Sequence, residues 1–228
     1  MPDPDAARPL RLFLDTADTG AWARLLPLGF LFGVTTNPLL LGRAGEACTV
    51  ANLARLAGAA ADLGAREIHL QTWGEDADEL AGRGQELAAV DRGLAVAVKV
   101  PATAAGFAAA GRLVAAGVRV TLTAVYAEGQ VLAAAGLGAA YAAPYLGRLE
   151  DAGRDGRAVL LRMQALARPG GLRLLAASLR GADRVVDLAA AGLDTFTCGP
   201  EVAAALVEDP LTTAAAADFL RAARAAGG

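Results

Sequence analysis

Leu94-Ala95-Val96-Ala97-Val98-Lys99-Val100 is the stretch on which the reading of this sequence turns. Successive side chains of a strand point to opposite faces, and these seven residues divide accordingly. Leu94, Val96, Val98 and Val100 form one set; Ala95, Ala97 and Lys99 form the other. The bulkier aliphatic set suits packing beneath helices, whereas the other ends in an ammonium group. The same division recurs on both sides. Leu10, Leu12 and Leu14 stand against Arg11, Phe13 and Asp15, and Val120, Leu122 and Ala124 stand against Thr121 and Thr123. In each stretch the second set ends in a polar residue at the C-terminal end of its strand.

Working outward, strands are expected near 10–16, 32–36, 66–72, 94–100, 119–125, 141–146, 173–178 and 194–198. Ala/Leu/Arg stretches of helical character lie between them, among them Glu75–Val90, Thr103–Ala116, Arg157–Ala167 and Asp183–Ala191. Gly64, Gly117 and Gly192 stand where helices prefer to stop, one to three residues before a strand. The strand starts are 22, 34, 28, 25, 22, 32 and 21 residues apart, the spacing of βα units, and there are eight of them. Eight parallel βα units predict an α/β fold of the (β/α)8 TIM-barrel type. A doubly wound sheet is the alternative, but no GxGxxG follows the first strand. Asp209 as N-cap and Pro210 at the first helical position predict an extra C-terminal helix. Residues 10–228 therefore read as one barrel domain, and residues 1–9 as a disordered or irregular lead.

In such barrels active sites are built at the C-terminal ends of the strands. The residues predicted there, drawn from seven strands, are Asp15, Asn37, Gln71, Lys99, Thr123, Tyr145 and Ser178. Composition sharpens this set. Of 21 basic residues 20 are arginine, so Lys99 is the single lysine; Ser178 is the single serine and His69 the single histidine. Where only positive charge is needed this chain uses Arg. A lone lysine in an apolar strand points to what Arg cannot do, namely shed its proton and attack a carbonyl. The competing reading is a side chain that snorkels from the strand end into solvent.

The other candidates also carry two readings. Ser178, in ASLRG between a strand and a helix, reads as an N-cap or as a ligand-binding hydroxyl, and Arg148 and Arg180 flank it as a phosphate clamp. Asp15 either does chemistry or organises the turn towards Asp18, the expected helix N-cap. His69 reads as a hydrogen-bonded core residue, and Trp73 and Phe107 as packing. GRAGE at 42–46 is a glycine-containing loop, too weak a signal for a phosphate cradle.

Several function classes are excluded. A net charge of −3 with scattered arginines argues against nucleic acid and against a membrane surface. Cys48 and Cys198 form no CxxC pair, no His/Cys/Asp cluster has metal-ligand spacing, and no cofactor is implied. The uncharged stretches 25–42 and 129–147 reach spanning length, but prolines interrupt both. The N-terminus has no apolar signal region, and a soluble, cytoplasmic protein is expected.

FLDTA (13–17), GVTTNP (33–38), VAVKVPAT (96–103), TAVY (123–126), AAPYLGR (142–148), LAASLR (175–180) and DPLT (209–212) occur in that order. In these motifs the chain resembles the transaldolase family, in particular its short members that include fructose-6-phosphate aldolase, from about Leu12 to Leu220. The resemblance implies a barrel whose lysine, matching Lys99, forms a Schiff base with a phosphorylated ketose. It makes Asp15 the acid/base carboxylate. Thr35 and Asn37 would orient lysine and substrate, and Arg148, Ser178 and Arg180 would hold the phosphate. It also implies a homo-oligomer, a pentamer or decamer, in which the C-terminal helix reaches a neighbour. Transaldolases proper carry Glu where this chain has Gln71 and Phe where it has Tyr145; the aldolases resemble this chain at both. Gln71, Thr123 and Tyr145 would then order the water that releases the enamine, giving aldolase chemistry. The alternatives are transaldolase and a sugar-phosphate-binding barrel without turnover. Departures from the family pattern are Leu39 in place of Ser, Gly147 before the arginine, and a tail without aromatic anchors.

Overall fold

A computed structural model describes residues 8–226; residues 1–7 of the expected lead lie outside the described part. The first half of the chain forms β1 (Arg11–Asp15), α1 (Thr19–Leu25), β2 (Gly33–Thr35), α2 (Pro38–Arg43), α3 (Val50–Asp62), β3 (Glu67–Gln71), α4 (Ala77–Ala88), β4 (Ala95–Pro101) and α5 (Ala104–Ala115). The second half adds β5 (Val120–Val125), α6 (Glu128–Leu137), β6 (Tyr141–Pro144), α7 (Leu146–Asp151), α8 (Gly156–Ala167), β7 (Arg173–Leu174), β8 (Ala176–Leu179), α9 (Ala182–Ala190), β9 (Thr195–Cys198), α10 (Pro200–Ala205) and α11 (Pro210–Ala225).

All strands run parallel, in the order β7-β6-β5-β4-β3-β2-β1-β9-β8. There are nine rather than eight because the seventh is interrupted at Leu175. Its first piece pairs with β6 and its second with β9. Leu175 N–H donates to Ala142 C=O at 2.8 Å, and a parallel bridge joins Tyr145 to Ala177. These contacts close the sheet into the expected barrel.

Helix ends follow the local signals. At Gly117 φ is +80°, which a Cβ would strain, and the turn lets Val118 N–H reach Leu113 C=O at 2.9 Å. Asp18 caps α1 and Asp209 caps α11, with Pro210 at the first position. Ser178 caps no helix. It lies within β8, and Gly181 occupies the N-cap of α9.

The strand faces divide as the alternation predicts. Leu14, Val34, Ile68, Leu70, Val98, Val100, Val120 and Leu122 are fully buried in the layer beneath the helices. At roughly 1.5–3 kcal/mol for each such side chain, this layer supplies most of the drive to wrap the sheet. The interior face is mixed. Phe13, Tyr141, Ala143 and Leu175 form a small plug, and Thr35, Glu67, His69, Lys99, Thr121, Thr123 and Thr197 are buried beside or above it. Their polar atoms require partners inside the barrel. Among the described residues no helix is long and apolar enough to cross a membrane.

Candidate active site

At the C-terminal ends of the strands lies a cavity of about 220 Å³. Asp15, Asn37, Lys99, Tyr145, Arg148 and Ser178 line it, together with Leu39, Leu40, Arg43, Ala143, Leu175, Ala177 and Thr197. Parallel pairing brings several of these together. Asp15 stands opposite Thr35, and Gln71 opposite Lys99, which in turn is opposite Thr121.

Lys99 is only 3 % exposed, so the snorkelling alternative is not what the fold adopts. Its Nζ donates to Thr36 C=O at 3.0 Å. Burial lowers its pKa from the ordinary lysine value, and the nearby Asp15 carboxylate acts in the opposite sense. The result is an amine held in place with its protonated form disfavoured.

Asp15 accepts a 2.6 Å hydrogen bond from the Thr35 hydroxyl, which also lies 2.6 Å from the Thr197 hydroxyl. Thr35 has one hydroxyl hydrogen. Because that hydrogen goes to Asp15, Thr197 must donate to Thr35, and a directed relay runs Thr197 to Thr35 to Asp15. Asn37 caps α2 by accepting Leu40 N–H at 3.0 Å, which leaves its amide N–H groups for the cavity it lines. The Tyr145 phenol lies 3.0 Å from the Thr123 hydroxyl, and burial raises its pKa from the ordinary tyrosine value.

Thr35 and Thr123 therefore stand behind Asp15 and Tyr145 rather than on the cavity wall. Gln71 is half-buried at the end of β3, beside Lys99 in register. Arg180 does not line the cavity. Its guanidinium pairs with Asp151 of α7 on the surface. Arg43 lines it instead, a residue that the sequence pattern leaves unmarked in the glycine-containing loop 42–46. The structure ends α2 at Arg43, three residues after Leu40 and on the same side of that helix. Asn37-Pro38, an N-cap followed by an N1 proline, was the available signal.

Ser178 is held at φ +58°, an uncommon conformation for a residue with a side chain. Gly147 explains how α7 packs so close to it. A Cβ at Gly147 would stand 2.8 Å from Ser178 O, 3.0 Å from Ser178 Oγ and 2.7 Å from Arg180 Nε. Below the cavity, His69 is fully buried, with Nε2 2.8 Å from Glu67 Oε1 and Nδ1 3.0 Å from Thr121 Oγ1. Burial lowers the His69 pKa against the opposing pull of Glu67. A neutral ring that donates from Nε2 and accepts from Thr121 satisfies every atom, the core role expected for it.

Residues 12–227 match the family described as Transaldolase/Fructose-6-phosphate aldolase. The chain belongs to that family. A probable transaldolase of Phenylobacterium zucineum is 32 % identical over 213 residues, covering 92 % of this chain and 95 % of the relative. Probable transaldolases of Ruegeria sp. (31 % over 220 residues; 96 % and 98 % covered) and Thermus thermophilus (32 % over 217; 92 % and 96 %) are similar to the same extent. Among solved structures, thiamine phosphate pyrophosphorylase from Pyrococcus furiosus superposes with a TM-score of 0.60, covering 85 % of this chain and 87 % of that one. At 12 % identity that likeness speaks to the barrel fold alone. As a transaldolase/fructose-6-phosphate aldolase family member, the chain is an enzyme, and six of its motif residues, Asp15, Asn37, Lys99, Tyr145, Arg148 and Ser178, line one cavity.

Proposed function

We propose that this family member is a Schiff-base aldolase acting on fructose 6-phosphate. The observation that carries the reading is Lys99, a buried amine of lowered pKa that faces Asp15 at the edge of a cationic cavity. Lys99 Nζ attacks the C2 carbonyl, and loss of water gives the imine. The C3–C4 bonding pair moves into the protonated imine as the C4 hydroxyl proton leaves to a base, with Asp15 assisting proton transfer. Glyceraldehyde 3-phosphate departs, and a dihydroxyacetone enamine remains on Lys99. Protonation at C3 and addition of water to the re-formed imine then release dihydroxyacetone and the free amine. Tyr145 with Thr123, and Gln71 beside Lys99, support that last step by ordering water.

Arg148, Ser178 and Arg43 are read as the phosphate cradle, since a fork-shaped guanidinium suits a phosphate. Arg180 joins them by exchanging Asp151 for the substrate. Thr35 and Asn37 orient Asp15 and the substrate. The C-terminal helix supports a homo-oligomer: α11 buries nothing, and Leu211 and Phe219 are 81 % and 73 % exposed.

A second reading is transaldolase, favoured by the names of the relatives. In it, the enamine attacks an acceptor aldehyde such as erythrose 4-phosphate instead of water's proton. Incubation with fructose 6-phosphate and borohydride should leave a three-carbon adduct on Lys99, the only lysine; no adduct overturns the Schiff-base reading. Release of dihydroxyacetone without an acceptor marks the aldolase, and turnover only with an acceptor marks the transaldolase.

A further inference from the structure

At the opposite, N-terminal mouth of the barrel lies a second cavity, of about 190 Å³, lined by Arg11, Arg119, Ala140, Tyr141, Gly171 and Arg173. The plug of Phe13, Tyr141, Ala143 and Leu175, with His69 packed on it, separates this cavity from Lys99. We propose that this mouth binds a phosphate dianion, either inorganic phosphate or the phosphate of a phosphomonoester, between Arg11, Arg119 and Arg173. The proposal does not depend on the chemistry assigned to the other end of the barrel.

The argument begins with charge. Arg8, Arg11, Arg119 and Arg173 converge here, while the carboxylates that meet them are Glu67 and Asp194. Glu67 is 1 % exposed and Arg173 12 %, so these two charges are poorly screened, whereas Arg119, at 44 %, reaches solvent at the rim. Arg119 donates to Glu67 at 2.7 Å, but Arg11 Nη1 stands 3.8 Å from the same carboxylate and bonds the Tyr141 hydroxyl. Arg11 Nε is buried with no hydrogen-bond partner among the described residues. A buried N–H of a charged group left unbonded is costly, and Arg11 so keeps, at the wall of the cavity, a charge that its neighbours only partly compensate.

Donor geometry makes the same case. Arg173 uses only Nη1 for its bonds to Pro9 C=O, Asp194 and Thr195, at 3.1, 3.2 and 3.1 Å. The same is true of Arg119, whose bond to Glu67 also runs from Nη1. Each guanidinium so retains further N–H groups for a tetrahedral oxyanion, the shape that forked donors match. A purely structural plug would pair cations and anions evenly. Four guanidinium groups against two carboxylates, three of the four lining an open cavity, are better explained by a site for an anion.

Calorimetric titration with inorganic phosphate, and separately with glycerol 1-phosphate, tests the proposal. The Arg43→Ala/Arg148→Ala background removes two cations from the cavity at the other mouth. Saturable binding is expected to persist in that background and to weaken at least tenfold on adding Arg173→Gln. Arg119→Gln, at a more exposed position, should do the same with the far-ultraviolet dichroism retained. Tighter binding of glycerol 1-phosphate identifies a phosphomonoester as the occupant, and tighter binding of phosphate identifies the free ion. No saturable binding in the double variant, or binding that survives both added substitutions, overturns the site.

Discussion

Replacing Thr35 by Val keeps the shape of a fully buried side chain and removes only a hydroxyl, so its consequences follow from two hydrogen bonds. The bond lost to the Asp15 carboxylate is charge-assisted and contributes about 1.5–3 kcal/mol. The Thr197 hydroxyl, itself 2 % exposed, is left without its acceptor, a penalty of about 1–3 kcal/mol. Val gains back part of this, because its methyl group needs no partner. A net loss of about 3 kcal/mol is expected, read as a lowered urea midpoint at unchanged slope. Thr197→Val alone should cost only about 1 kcal/mol, since Thr35 still donates to Asp15. The double variant tests whether the two hydroxyls are coupled in one relay. With both hydroxyls gone there is no orphaned donor, so the two losses should fall short of additivity by about 1–2 kcal/mol. Asp15 also loses its tether, and borohydride trapping at Lys99 should slow about tenfold or more in Thr35→Val. Additive losses within about 0.5 kcal/mol would refute the relay, and unchanged trapping would refute the positioning of Asp15.

Lys99 has a pKa below its unfolded value. Between its folded pKa and about 10.4 the unfolded chain binds the extra proton, so stability rises with pH across that window and levels off above it. The pH midpoint of adduct formation should lie below the free-lysine value and move further down in Asp15→Asn, because Asp15 opposes the shift; an upward move contradicts the assignment. Tyr145→Phe should raise the ratio of transfer to release when an acceptor is present, and an equal ratio sinks the role given to the Tyr145–Thr123 pair. Gly147→Ala places a methyl 2.7–3.0 Å from Arg180 and Ser178, so KM for fructose 6-phosphate should rise about tenfold with kcat less affected. A KM unchanged in that variant would show that Ser178 does not hold the phosphate. Phe219→Asp should lower the assembly mass seen by light scattering, and an unchanged mass argues against α11 as the contact.

Repeating βα units, the alternation within 94–100 and the caps at Asp18 and Asp209 are local patterns, and the structure places strands and helices where they direct. Lys99 was legible for a different reason: a chain that uses arginine for every other basic position marks its one lysine. Long side chains were less legible. Arg148, Arg180 and Arg43 all stand near strand or helix ends, yet Arg180 turns to Asp151 while Arg43 lines the cavity. That choice rests on a carboxylate supplied by α7 and on the short course of α2, neither of which is encoded next to the arginine concerned. The site for His69 shows the same limit. Its core role followed from its place in an apolar strand, but its partners Glu67 and Thr121 come from the barrel's interior parity on two strands.

The sequence by itself determined the eight-unit barrel, which strand face turns inward and the single lysine on that face, because periodicity and composition are properties of the chain alone. Only the tertiary structure decided the break at Leu175, the left-handed Ser178 beside Gly147, the Thr197–Thr35–Asp15 relay and the cationic N-terminal mouth. Each of these depends on contacts between elements apart in the chain, the relay most of all: closing the sheet brings Thr197 to Thr35, 162 positions away, and so settles which partner the Asp15 carboxylate receives.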